Sequence, residues 1–215
     1  MTEADVLIVG GGLAGLNAAA ELEESFPELS VLLADCGGGA SSEIMGFCAP
    51  ILPGDSSALF RQDIIRAGQG LNSSSLAEVL SDRAIPELER LEALGIRFDR
   101  NRDGTLAAIR SVGSSFPRVV HSGTSTGRQA LELLRRPVLR RRIVKLIVIS
   151  GMLRGAVTEE GEIIRCKAAI LAGGGFAGLW RFSTWSKNLR GDALVLGGDA
   201  GCTLCNLDCV QFEPT

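Results

Sequence analysis

Between Asp5 and Ala20 the chain reads D-V-L-I-V-G-G-G-L-A-G-L-N-A-A-A. The apolar run up to Val9 predicts a short strand, and Gly10, Gly12 and Gly15 have the spacing G-x-G-x-x-G. From Leu16 to Glu24 good helix formers follow, with Leu16, Ala19, Ala20 and Leu22 as an apolar stripe, and Pro27 ends the helix. Ser30 to Ala34 predicts a second strand, closed by Asp35, twenty residues after Gly15. Strand, glycine turn, helix and strand in this order form a βαβ unit, whose crossover is expected to be right-handed.

The glycine pattern on its own is weak in a chain with 27 glycines. Its context, after a strand and before a helix, with an acid closing the next strand, makes it a dinucleotide fingerprint. Gly10 lets the chain turn off the strand, Gly12 removes a side chain from the path of a pyrophosphate, and Gly15 lets the helix lie on the sheet. The backbone of Gly11, Leu13 and Ala14 completes a loop whose N–H groups and helix dipole favour a diphosphate. Asp35 can accept hydrogen bonds from ribose hydroxyls and would repel a 2′-phosphate. NAD and FAD both carry adenosine diphosphate, so the motif leaves the choice between them open.

Beyond Asp35, a loop from Cys36 through Gly39, Ser41 and Ser42 runs towards Pro53. A mostly helical stretch is expected from Ser57 to Leu94, with an apolar stripe of Leu76, Val79, Leu80, Leu88, Leu91 and Leu94. Ser75 is its expected N-cap, Gly95 its stop, and Pro86 a kink or a fresh start. Ile96 to Asp99 predicts a strand, Asn101 to Gly104 a turn, and Thr124 to Leu134 a helix. Three apolar runs from Ile143 onward predict a β-meander that feeds a buried strand, Ala168 to Ala172.

The length of 215 residues suits one large domain or one and a half small ones, and 46% hydrophobic with 22% charged residues is an ordinary soluble globular composition. A net charge of −3 argues against nucleic acid as the main partner. No apolar segment reaches the roughly 18 residues of a transmembrane span, and no signal peptide is visible. Six cysteines without a secretory signal predict reduced thiols and a cytoplasmic protein.

Three further stretches are similar to the flavoprotein family of succinate dehydrogenase, fumarate reductase and L-aspartate oxidase. L-E-A-L-G-I-R-F-D-R (91–100) resembles its Leu-acidic-x-Leu-Gly-Val-x-Phe segment. A-I-L-A-G-G-G-F-A-G-L-W (169–180) resembles its A-T-G-G-x-x-G-L-Y stretch, and 191–215 follow its G-D-G…A-G-A…V-Q-F-H-P-T block. The resemblance covers nearly the whole chain. It implies a Rossmann-type FAD/NAD(P)-binding domain, with a parallel central sheet plus the meander, over residues 1–215. The capping domain would be absent or truncated, the chain ending where it is expected to begin.

For the site, the resemblance implies FAD held by Gly10 to Gly15, by Asp35 with its neighbour Cys36, and by Ser41 and Ser42. Ala172, Gly173, Gly174 and Asp192 would also approach the cofactor. The dehydrogenases attach FAD through a histidine in the loop after the second strand. That loop has none here, and His121 is the only histidine, so FAD is expected to be non-covalent. Where the family has the substrate-binding histidine of Q-F-H-P-T this chain has Glu213, whose charge would repel a dicarboxylate. The implied activity is hydride transfer between a small carboxylate and flavin N5. The family's catalytic arginine lies beyond the resemblance, so no catalytic residue is named and a second chain is a candidate to supply the cap. A non-catalytic or partner-dependent dinucleotide-binding subunit is the alternative.

Cys202, Cys205 and Cys209 form C-x2-C-x3-C, but without a fourth ligand nearby they read as core thiols, not as a metal site. His121 reads as structural. The run Arg135, Arg136, Arg140, Arg141, Arg142 and Lys145 reads as a solvated face.

Overall fold

The structure, a computed structural model, describes residues 2–212 and divides into two compact units, one of residues 1–41 with 134–215 and the other of 42–133. In chain order the first unit opens with β1 (Thr2–Glu3), β2 (Val6–Val9), α1 (Leu13–Ser25) and β3 (Val31–Ala34). The second holds β4 (Gly46–Cys48), α2 (Ser57–Ala67), α3 (Ser74–Leu94), β5 (Ala108–Ile109), β6 (Val119–His121) and α4 (Thr126–Leu133). The first unit then resumes with β7 (Ile143–Ile149), β8 (Met152–Thr158), β9 (Ile163–Arg165), β10 (Ala168–Leu171) and α5 (Asp192–Asp199).

The expected βαβ unit is present. β2 is the middle strand of a parallel three-stranded sheet in the order β10-β2-β3, with Val6 opposite both Val31 and Ala168. All four residues of β2 are buried, as a central parallel strand covered on both faces requires. α1 begins three residues earlier than its apolar pattern suggests and ends at Ser25, just before Pro27. β7, β8 and β9 form the antiparallel meander, and β1 pairs with β9 in parallel at its edge. The core of this unit gathers Leu7 and Val9 with Ile143, Ala156, Ile164, Cys166 and Leu196. Each Leu, Val or Ile among them contributes about 1.5–3 kcal/mol on burial. β10 corrects the expectation of a buried strand: Ala168 is exposed and the rest half-buried, because it is an edge strand.

In the second unit the helical stretch is two helices, with α3 packed along α2. α3 runs unbroken through Pro86, so no fresh helix start occurs there. Buried residues on either side of the proline, Ala77 and Ser81 before it and Leu88 and Leu91 after it, hold both halves against the unit. The N-cap is Ser73, whose Oγ accepts the Leu76 N–H at 3.4 Å, and the expected cap Ser75 instead pairs its hydroxyl with that of Ser73. The apolar stripe is corrected as well: Leu76, Val79 and Leu80 are 56–69% exposed, and the small residues Ala77 and Ser81 take the inner face. Gly95 ends the helix with φ +115°.

Ile96 to Asp99 is not a ladder strand. Ile96 and Phe98 are buried in alternation, but the only backbone bonds to a neighbouring segment are those of Asp99, through its N–H to the His121 carbonyl and its carbonyl to the Ala107 N–H, both at 2.8 Å, while the Arg97 carbonyl accepts the Ser122 hydroxyl at 2.7 Å. β4, β6 and β5 form a small antiparallel sheet. Beside it the wholly buried Arg118 donates two bonds of 2.7 Å to Asp55 and a third to Asp63, with the Phe60 ring 4.9 Å from its guanidinium. His121 Nδ1 lies 2.9 Å from Asp99 Oδ2.

Candidate functional site

The glycines of the first turn are dictated by contacts. A Cβ on Gly10, whose φ is +114°, would lie 2.3 Å from the Ala172 carbonyl oxygen, so the turn sits directly against the end of β10. A Cβ on Gly15 would come within 1.9 Å of the Gly10 carbonyl oxygen, the close helix–sheet approach that glycine there permits. A Cβ on Gly12 would meet only the Ser41 hydroxyl, at 2.9 Å. Gly12 therefore keeps clear a path to the start of α1, not a packing contact with the backbone.

That start opens into a cleft of about 390 Å³ that lies wholly in the first unit. Gly10, Gly11, Gly12 and Ala14 form one wall, Asp35 to Ser41 a second, and Ala172 to Gly175 with Asp192 a third. The opening N–H groups of a helix have no intrahelical partner. Here the Leu13 N–H is given to Ser41 Oγ at 3.0 Å. Asp35 is fixed with both oxygens engaged: Oδ1 accepts the Gly11 N–H at 3.0 Å, and Oδ2 accepts the Gly37 N–H at 2.9 Å and Arg140 Nη1 at 3.1 Å. A carboxylate offers about four lone-pair positions, so one is left for a sugar hydroxyl.

Of the residues singled out from sequence, Gly10, Gly11, Gly12, Ala14, Asp35, Cys36, Ser41, Ala172, Gly173, Gly174 and Asp192 line this one cleft. Leu13 and Gly15 stand behind the wall, Leu13 through its bond to Ser41 and Gly15 as the packing glycine. Ser42 belongs to the second unit, and Glu213 lies outside the described residues.

The basic run is corrected: it is not simply a solvated face. Arg141 and Arg142 line the cleft, Arg142 bonds Asp192, and Arg140 bonds Asp35. Those partners lie 50 and 105 residues away along the chain, and no local spacing announces such pairs. Asn188 and Leu189, also on the wall, carry no motif. The thiol expectation fails too: Cys202, Cys205 and Cys209 are exposed, because the chain after α5 runs as open turns. Among the described residues no group of three or more His, Cys, Asp or Glu is placed to hold a metal. Nor is any described helix long and apolar enough to cross a membrane.

A parallel sheet with a glycine turn, a helix start and an acid around one cleft defines an α/β dinucleotide-binding protein of the Rossmann type. The FAD binding domain family model matches residues 5–215, and the chain belongs to that family. An L-aspartate oxidase of Neisseria meningitidis serogroup B is 32% identical over 229 residues, covering all of this chain and 45% of that protein. A fumarate reductase (CoM/CoB) polypeptide of Methanothermobacter marburgensis is 30% identical, over 99% of this chain and 42% of its own length. Among solved structures, the Mycobacterium smegmatis Sdh1 complex in its apo form superposes with a TM-score of 0.83 at 27% identity, covering 93% of this chain and 39% of that one. The chain thus spans less than half the length of these relatives.

The chain's own atoms fit the adenosine diphosphate half of FAD: a glycine-lined helix start, with the Ser41 hydroxyl on its Leu13 N–H, for the diphosphate, and a fixed carboxylate with a free lone pair for the ribose.

Proposed function

We propose that this chain is the FAD-binding part of a flavin-dependent oxidoreductase of the fumarate reductase and L-aspartate oxidase kind. One observation carries the reading: the glycine turn, Asp35, Ala172 to Gly174 and Asp192, scattered over the sequence, meet around a single cleft. Gly10 to Gly12 and Ala14 would hold the diphosphate, Asp35 the ribose, and Ser41 the neck between them. When bound, FAD would supply hydride chemistry at N5 towards a small carboxylate.

The loop after β3 holds no histidine, and the sole histidine is engaged with Asp99, which supports a non-covalent cofactor. Glu213 stands as the substrate-side position, and its charge favours a substrate other than a dicarboxylate. Turnover would need residues from beyond these 215, supplied by further chain or by a partner. The residues of both units would serve one FAD-binding domain. The six free thiols suit a cytoplasmic setting.

Titration of the purified chain with FAD, followed by flavin fluorescence, tests the reading. Saturable quenching that ADP reverses, and that Gly12→Val abolishes while circular dichroism is unchanged, is the expected result. A wild-type chain that takes up no FAD overturns it.

A further inference from the structure

The cleft poses an electrostatic problem. Two of its wall residues, Asp35 and Asp192, are acids, and the proposed ligand is itself a dianionic diphosphate. Unbalanced carboxylates around an anion lower its affinity. One short segment of the chain answers this. Arg140 donates Nη1 to Asp35 Oδ2, and two residues on, Arg142 donates Nη1 to Asp192 Oδ2. Arg141, between them, turns to Glu160 and Glu162 instead, its Nε 3.5 Å from each carboxylate.

The two braces differ in weight. Arg140 is 66% exposed and its bond is open to water, whereas the side chains of Arg142 and Asp192 are 21% and 33% exposed. Arg142 also joins two elements, since it stands immediately before β7 and Asp192 is the first residue of α5. The start of α5 is in turn packed on the Gly173 turn, where a Cβ would lie 2.9 Å from that of Ala193. Freeing Asp192 would therefore leave a loose carboxylate in the cleft and release the helix end that supports its third wall.

Building on the proposed cofactor reading, we infer that Arg142 is a positioning residue for an anionic dinucleotide: it holds the Asp192 carboxylate and balances its charge, with Arg140 doing the same more weakly for Asp35. A double-mutant cycle on FAD affinity tests this in the full 215-residue chain. Wild type is titrated first, and failure to bind there defeats the cofactor reading itself, so the two failures are told apart.

Given wild-type binding, Arg142→Gln is expected to weaken FAD by about tenfold or more, and Asp192→Asn in that background to restore much of the loss, since removing the acid removes the need for its partner. Arg142→Lys, which keeps the charge but not the planar guanidinium that reaches Asp192, should fall between them. Arg140→Gln should cost less than Arg142→Gln. Arg136→Gln, from the same basic run but paired with Glu23 away from the cleft, should cost nothing. Should Arg142→Gln not fold, the Arg142→Lys and Asp192→Asn pair completes the cycle. An unchanged affinity in the Arg142 variants, or losses that simply add without rescue, would overturn the inference.

Discussion

Arg118 in the second unit holds two aspartates and Arg142 in the first holds one, all distant along the chain, yet the two regions use the bond differently. Arg118 and Asp55 are completely shielded from water and Asp63 nearly so, the guanidinium being closed in by the Phe60 and Phe116 rings. Arg142 and Asp192 keep a fifth to a third of their side-chain surface exposed on a cleft wall. A buried pair whose lone pairs and protons are all used is costly to break. A half-open pair costs little to rearrange and can respond to a ligand. The comparison teaches that burial, not the identity of the partners, separates a fold-holding ion pair from a site-tuning one.

The largest expected effect breaks that comparison at its buried end. Arg118→Met leaves two carboxylates without a partner in an apolar setting and should cost about 3–5 kcal/mol in urea unfolding. Adding Asp55→Asn and Asp63→Asn should return part of it, and no return would mean that the bonds are not what stabilises. Acid sharpens the same point. Burial alone raises the Asp63 carboxyl, but bonds from Arg118 and from the Ser115 N–H and hydroxyl, with the nearby Arg66, outweigh it and hold the group well below the usual carboxylate range. The stability it contributes is then complete above about pH 3.9, the unfolded value, and is lost as pH falls below it. Asp63→Asn should flatten the acid limb of a stability–pH curve measured by denaturant unfolding.

Next in size is the glycine turn of the first unit. Gly15→Ala sets a Cβ 1.9 Å from a backbone oxygen that no side-chain rotation can move, so α1 must shift, at about 1–3 kcal/mol in thermal unfolding. The contrast within the loop is the test, because Gly12→Ala meets only a serine hydroxyl and should leave stability within about 0.5 kcal/mol. Equal losses at the two positions would erase the distinction between a packing glycine and a cleft glycine.

How much of this could be read in advance follows the range of the interactions. The βαβ unit was legible because its signals are local: a short apolar run up to Val9, a glycine spacing, and an acid at a fixed distance. The meander was legible from apolar runs cut by Ser150-Gly151 and Glu159-Glu160-Gly161. What stayed hidden was tertiary. Nothing near Arg142 shows that Asp192 will face it. Nothing in α3 shows that Ala77 and Ser81 will turn inward while Leu76, Val79 and Leu80 face out, since the neighbour that decides it is α2. Pro86 likewise reads as a break until the packing on either side is known.

A smaller effect checks one of the local signals that misled. Ser73 and Ser75 both suit a helix start, but the Leu76 N–H goes to Ser73. Ser73→Ala should therefore cost about 1 kcal/mol. Ser75→Ala loses only a hydroxyl–hydroxyl contact on the surface and should cost no more than about half of that. Chemical denaturation of the two single variants decides it, and a larger loss at Ser75 would move the cap back to where the sequence alone had put it.

The smallest expected effect completes the scale of ion pairs. Arg61 and Glu78 join α2 to α3 at 2.7 Å with side chains 35% and 58% exposed, a bond as short as those from Arg118 to Asp55 but open to water. Solvent screening and the entropy of two long side chains leave such pairs worth about 0.2–1 kcal/mol. Arg61→Ala should accordingly shift stability by a few tenths of a kcal/mol at low salt and by less at 1 M salt, where the Debye length is about 3 Å. The same salt should leave the loss from Arg118→Met nearly unchanged, because no counter-ion reaches a shielded pair. If both losses shrank together with salt, burial would not be the variable that sorts these bonds, and the assignment of the half-open Arg142 pair to the cleft's chemistry would lose its physical basis.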